Sequence, residues 1–141
     1  MTARDTKHDG RNVLVTGAQG GLGVALTAAL GDRGDKVVGV DRHGTGADLE
    51  ADLTDPEQAA AAVLTAADRL GGVDAVVGAA GVVDTVHRAA TLAPDVFQGD
   101  IAANLNSQFL VAQAAYPYLR EAARGAIVMV SSLAGLDGLS G

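Results

Sequence analysis

The sequence predicts an α/β fold, a parallel sheet carrying helices on both faces, and three observations lead there. Strand-like and helix-like segments alternate along the 141 residues with little spacer, the pattern of linked βαβ units. The strand-like segments are short runs rich in valine, as buried parallel strands require. Composition is 48% hydrophobic but only 3% aromatic, so the core has to be built from Ala, Val and Leu, which suits helices packed closely on such a sheet. At this length the chain fits one domain with a modest core rather than two.

Residues 1–10, MTARDTKHDG, are charged and lack an apolar stretch, so they read as a flexible lead-in and not a secretory signal, with the folded domain over 11–141. Asn12 to Thr16 (NVLVT) is β-branched and ends in glycines, hence a first buried strand. LGVALTAALGDRG then repeats apolar residues at helical spacing and is expected to stop at Gly31 and Gly34. Lys36 to Val40 (KVVGV) is the second strand, closed by Asp41. Only ten residues separate Asp41 from Asp52, too few for a crossover helix, so a short third strand over Leu49 to Leu53 is reached by a loop.

Asp55-Pro56-Glu57 starts a helix, with Asp55 as the cap and Pro56 in the first turn, and the Ala-rich run continues to Leu70 before Gly71-Gly72. Val73 to Val77 is the fourth strand and 78–93 an irregular segment. A long helix follows from Asp95 or Asp100 to Ala123, with Pro117 kinking it or marking its last stretch. Ala126 to Val130 is the fifth strand. There is no internal repeat and no low-complexity tail.

A net charge of −7 without clustered Lys or Arg argues against nucleic acid or an anionic membrane as partner. No apolar stretch approaches the length that crosses a bilayer. The absence of cysteine excludes disulfides and thiolate metal sites. His8, His43 and His87 are scattered, with no carboxylate or histidine at ligand spacing, so no metal is implied and each reads as a solvated loop residue. A small molecule is the expected partner, and the cytoplasm the expected location.

Thr16 to Gly23, TGAQGGLG, lies between the first strand and the first helix. Gly17 permits a tight turn, Gly20 or Gly21 lets the backbone approach a pyrophosphate, and Gly23 lets the helix pack onto the strand. The helix opening through Gly21, Leu22 and Gly23 offers unpaired N–H groups and a positive dipole end to phosphates; a turn with no ligand would need only one glycine. Asp41 lies 18 positions beyond Gly23, where a carboxylate can accept both ribose hydroxyls of an adenosine and repel a 2′-phosphate. NAD is thereby favoured over NADP, although Arg42 next to it could pair with such a phosphate. Asp52 and Leu53 would flank the adenine, or else form only the polar end of an edge strand.

Together these residues resemble the short-chain dehydrogenase/reductase family, in its compact single-domain branch. The loop fits the compact branch's TGxxxGxG through Gly17, Gly21 and Gly23, and equally the extended branch's TGxxGxxG through Gly17, Gly20 and Gly23. Residues 100–120, DIAANLNSQFLVAQAAYPYLR, are similar to the compact branch's long helix, with Asn104 at its usual asparagine. VSSLAGLDG resembles that branch's fifth strand and the loop bearing the active-site serine, by position Ser132. The resemblance implies a Rossmann-type doubly wound sheet in strand order 3-2-1-4-5, truncated after the fifth strand.

Three departures stand out. The family's NNAG appears as Gly78-Ala79-Ala80-Gly81, which keeps Ala80 and Gly81 and loses asparagine side chains that anchor the sheet. The helix between strands 2 and 3 is absent. The family's YxxxK tyrosine and lysine would lie past Gly141, and Tyr116 and Tyr118, upstream of the serine with no lysine at the right spacing, read as core or helix-end tyrosines.

What the resemblance implies is hydride transfer between a nicotinamide and an alcohol or ketone, the tyrosine moving the proton. Ser132 would bond the substrate oxygen; Asn104 would bend the long helix and support a water-linked proton path. His87 would border the nicotinamide end. No G-x-S-x-G elbow surrounds Ser131 or Ser132, which sets aside a serine hydrolase. The expectation is the cofactor-binding portion of an NAD-dependent short-chain oxidoreductase, inactive alone; the alternative is a non-catalytic dinucleotide-binding or interaction module. An unpaired edge at the fifth strand and apolar surface on the long helix lead one to expect a homo-oligomer or a complementary C-terminal fragment as partner.

Overall fold

Val13, Leu14 and Val15 are all buried, because the strand they form is the middle one of five and has a helix layer on either side. In the computed structural model, which describes residues 10–83 and 88–138, all strands run parallel in the order β3-β2-β1-β4-β5. They are β1 (Asn12–Thr16), β2 (Lys36–Asp41), β3 (Leu49–Glu50), β4 (Ala75–Gly78) and β5 (Ala126–Met129). The helices are α1 (Gly21–Asp32), α2 (Pro56–Leu70), α3 (Pro94–Ile101), α4 (Ser107–Glu121) and the short α5 (Ala134–Asp137). The fold class and strand order are those expected. The lead-in, apart from Gly10, and His87 lie outside the described residues.

Alternate residues of each strand face opposite layers. Leu14, Val38, Val40 and Val76 point to the side covered by α2 and α4, where Val63, Ala66, Val111 and Ala115 complete the main core. Val13, Val15 and Ala18 form a smaller core under α1. Small alanines at the contacts let α2 and α4 lie close together, as the aromatic-poor composition anticipates.

Several boundaries differ from the sequence reading, each for a local reason. β3 is two residues long, because the chain turns at Asp52, whose Oδ1 accepts both the amide and the hydroxyl of Thr54 (2.9 and 2.7 Å), and sends Ala51 and Leu53 into the core. β4 begins at Ala75 and not Val73, since the Asp74 carboxylate takes the Asn12 amide (2.8 Å) that a regular ladder would use. α1 passes through Gly31 and ends at Asp32, where the amides of Arg33, Gly34 and Asp35 turn back onto the carbonyls of Leu30 and Gly31. The long helix starts at Pro94, ends at Glu121 and keeps Pro117 inside it. Between α3 and α4 it passes through one π-helical turn, Ala102–Asn106, without a break in helical backbone angles. α2 is capped as expected: Asp55 Oδ1 accepts the amides of Glu57 (2.9 Å) and Gln58 (3.0 Å).

No helix occupies the link from β2 to β3. That loop is tied by Glu50, whose carboxylate accepts the amides of Gly46 (2.7 Å) and Gly44 (3.0 Å). Those amides, Gly44 first, hold the Glu50 carboxyl below its ordinary value against some desolvation, with His43 and the Thr45 amide adding to the effect. Because the folded value is lowered, the tie is complete above the usual glutamate pKa of about 4.3 and is lost as pH falls through the lowered one. The amide shifts of Gly44 and Gly46 are expected to titrate together, with a midpoint under about 4.3. A Glu50→Gln chain that titrates the same way would refute this.

Candidate cofactor cleft

The strand order reverses at β1, whose neighbours β2 and β4 send their following chains to opposite sides, and a crevice opens at the carboxyl ends of these strands. A cavity of about 250 Å³ fills it. Its floor is the glycine loop. Gly17 takes a φ of +67°, open to glycine, and a Cβ there would lie 2.7 Å from the Ala79 oxygen and from the Ala80 backbone. Gly23, buried beneath, has no room for one either: its Cβ would collide with the Gly17 carbonyl oxygen and stand 2.7 Å from the Ala18 Cα. These contacts press the loop between α1 and the segment after β4. The Ala18 amide fastens it to β2 at the Val40 carbonyl (3.2 Å).

No side chain caps α1 at Gly20, so the amides of its first turn have no side-chain acceptor of their own. Gly17 and Gly20 line the cavity, while Gly21 and Leu22 are exposed at the helix opening outside its lining. On the facing wall stand Asp41 and Arg42. Asp41 Oδ2 accepts the Gln19 amide and Oδ1 the Arg42 amide, both at 2.7 Å, so the carboxylate that ends β2 also positions the glycine loop. A carboxylate has roughly four acceptor sites, which leaves Asp41 capacity for a ligand.

Asp52 and Leu53 form the end wall beside them. Hydrogen bonds from the Thr54 hydroxyl and then its amide hold the Asp52 carboxyl below its ordinary value, against some desolvation and with help from His43. His43 Nε2 lies 3.2 Å from Gln58 Oε1, which also accepts the Asp52 amide (3.0 Å).

Ala80 and Gly81 line the opposite side, in the segment where sequence reading finds asparagine anchors missing. Other elements supply the anchoring. Thr16, a buried polar residue of β1, accepts the Ala79 amide at its carbonyl (3.2 Å) and the Ala80 amide at its hydroxyl (3.3 Å). Asn104, in the π turn, accepts the Val82 amide at Oδ1 (2.8 Å) and donates through Nδ2 to the Val82 carbonyl (3.1 Å). Gln108 donates to the Ala80 carbonyl (2.7 Å). Asn104 itself does not line the cavity, though Ala103 and Ser107 do. Ser132 lies outside the lining as well, exposed beyond β5, with its hydroxyl accepting the Ala134 amide (3.1 Å). Tyr118 packs on the main core, and Tyr116 is exposed.

Sequence reading did not single out Thr16, Gln19 or Gln108. Gln108 carries one signal, a second carboxamide one helical turn after Asn104. Among the described residues no His, Asp or Glu cluster could hold a metal, and no helix is long and apolar enough to cross a membrane.

Residues 11–141 match the family model described as short chain dehydrogenase. A versicolorin reductase of Emericella nidulans is 35% identical over 94% of this chain and 55% of its own length. The D-threitol dehydrogenase of Mycolicibacterium smegmatis is 32% identical over 92% and 55%. In structure the chain is similar to the ligand-free aldohexose dehydrogenase of Thermoplasma acidophilum, with a TM-score of 0.80, 26% identity, and coverage of 88% of this chain and 50% of that one. The chain spans about half the length of the curated relatives it matches. A family match over nearly its whole length, on a parallel sheet of this order with a glycine loop at its crevice, makes the chain a member of the short-chain dehydrogenase family.

Proposed function

We propose that this chain holds an adenine–nicotinamide dinucleotide, NAD in preference to NADP, as the cofactor-binding portion of an oxidoreductase that interconverts an alcohol and a ketone. The observation that carries the proposal is one cavity lined both by Gly17 and Gly20, which lead into the uncapped opening of α1, and by the Asp41 carboxylate. The cleft fits the dinucleotide: the side-chain-free backbone at Gly20 lets the pyrophosphate approach, although the Gly20 amide itself is spent on the Gly17 carbonyl (3.0 Å). The amides of Gly21, Leu22 and Gly23 would donate to it, Asp41 would accept from the adenosine ribose, Asp52 and Leu53 would flank the adenine, and Ala80 and Gly81 the remainder. When bound, the dinucleotide supplies a hydride acceptor or donor. Calorimetry on the folded chain is expected to show binding of NAD and weaker binding of NADP; no heat with either overturns the reading.

In this reading Ser132 bonds the substrate oxygen and steadies charge developing there. Asn104, in the π turn of the long helix, keeps the Val82 wall in place. With no YxxxK pair among its residues, the isolated chain is expected not to oxidise NADH against a panel of ketones. The second reading, a dinucleotide-binding module without catalysis, is favoured by the position of Ser132 outside the cavity lining. Turnover by a longer chain that carries a YxxxK pair would remove it.

Association is part of the same proposal. Leu105, Phe109 and Tyr116 lie on one helical stripe, 60%, 61% and 60% exposed, on α4 and the turn before it, to one side of the face that Val111, Ala115 and Leu119 bury. Val128 of β5 is 58% exposed, and among the described strands β5 pairs only with β4. Such a patch and strand edge favour a second copy or a complementary fragment. Sedimentation is expected to find self-association that Phe109→Asp weakens; a monodisperse parent monomer at tens of micromolar counts against it.

A further inference from the structure

Gly78 closes β4 and is buried, yet it is not among the glycines whose φ lies in the left-handed region. Its backbone therefore accepts any residue. What stands in the way of a side chain there is Gln108 first and Met129 second: a Cβ at position 78 would collide with Gln108 Oε1 and come within 2.6 Å of Met129 Sδ, near the free end of a flexible side chain, and 3.0 Å of Gln108 Cδ. The Gln108 carboxamide, reaching from α4, occupies the space that the glycine leaves open. One end of it donates to the Ala80 carbonyl, and the other, Oε1, is buried without a hydrogen-bond partner.

An orphaned buried acceptor is costly, because it gives up its bonds to water and gains none. A leucine or methionine would fill the same space without that cost, so packing alone does not explain a glutamine. Its donor end does. Asn104 and Gln108 are four residues apart on one helix, about 6 Å along the axis. The groups they grip, at Ala80 and Val82, are two residues apart in the cavity wall, about 6.6 Å in drawn-out chain. The two spacings match, so successive turns of one helix hold successive rungs of the wall, while Thr16 holds it from β1.

We infer that Gln108 is a positioning residue for the cofactor cleft, inserted into the void over Gly78 to hold the Ala80 carbonyl, and that Gly78 and Gln108 form one coupled pair. Its bearing on the ligand rests on the proposed function; the pairing does not.

Two measurements test it. Gln108→Met keeps length and volume while removing both the donor and the orphaned acceptor. Its melting temperature is expected to stay within a few degrees of the parent's, while its NAD dissociation constant, read by calorimetry, rises about fivefold, the scale of one hydrogen bond. A merely structural glutamine would not separate those two readouts, and an unchanged affinity overturns the positioning role.

The second measurement, made without nucleotide, is the effect of Gly78→Ala on melting temperature in two backgrounds. In the parent it is expected to destabilise, up to failure to fold, because Gln108 is displaced. In a Gln108→Ala chain its sign is expected to reverse to neutral or stabilising, since the flexible Met129 thioether can shift into the space Gln108 vacates and alanine restricts the unfolded chain more than glycine does. Equal harm in both backgrounds, or a double variant that does not fold, overturns the pairing. If the parent gives no heat with NAD, the proposed function fails, and the melting comparison still decides the pairing.

Discussion

Gly23→Val is expected to cost this domain a large part of its stability and all measurable dinucleotide binding. The reason lies in which atoms would meet. The new Cβ would overlap the Gly17 carbonyl oxygen and crowd the Ala18 Cα, both of them backbone, so no rotamer change relieves the contact. Either α1 lifts off the sheet or the glycine loop opens. Inserting atoms into a packed interior costs typically about 1–3 kcal/mol, and a backbone collision belongs at the upper end or above it. For a domain that starts with about 5–15 kcal/mol, such a loss corresponds to roughly 10 °C in melting temperature. The control is Gly21→Ala: nothing lies within 4 Å of its Cβ, so it is expected to melt close to the parent. Melting curves and NAD calorimetry on both variants check the pair. Similar melting of Gly23→Val and Gly21→Ala would show that the loop does not close on α1 as described.

Gly23 also marks how far the sequence alone reaches. Its role was readable because the constraint is local: strand, loop and helix follow one another, and glycines at that spacing have few other uses. The α2 start was readable for the same reason, with Asp55 and Pro56 each acting within one turn. The sheet's alternation of β-branched runs and helices was legible in the same way. What escaped depends on groups far apart in the chain. The start of β4 is set by the Asp74 carboxylate bonding Asn12, 62 positions earlier. The π turn leaves helical angles intact and adds one residue to a turn, which hydrophobic spacing over a few residues does not register. Thr16 reads as the last residue of a strand until the sheet brings Ala80 to its hydroxyl, 64 positions away. Gln108 draws no notice in the sequence until Gly78 is seen beneath it. That the loop glycines and Asp41 meet at one crevice is thus legible from neighbours in sequence, and the support of the opposite wall only from neighbours in space.

Asp41→Asn is expected to raise the dissociation constant for NAD by about 10- to 100-fold, the range for losing charge-assisted hydrogen bonds of about 1.5–3 kcal/mol. Two losses act together. The ribose hydroxyls lose an ionised acceptor, and the Asn amide group must turn an NH₂ toward either the Gln19 or the Arg42 amide, both of which donate to the aspartate now. The Gln19 loop is therefore expected to loosen as well, visible as a change in the Gln19 amide resonance before any nucleotide is added. For NADP the balance runs the other way: removing the carboxylate removes its repulsion of a 2′-phosphate, and Arg42, exposed at the same corner, becomes free to pair with it. The ratio of NAD to NADP affinity is accordingly expected to fall to near one or invert, and Arg42→Ala added to Asp41→Asn should take the NADP gain away. Loop loosening alone would weaken both coenzymes equally. An unchanged ratio would therefore mean that Asp41 serves the loop and not the ribose, and the proposed preference for NAD would lose its basis.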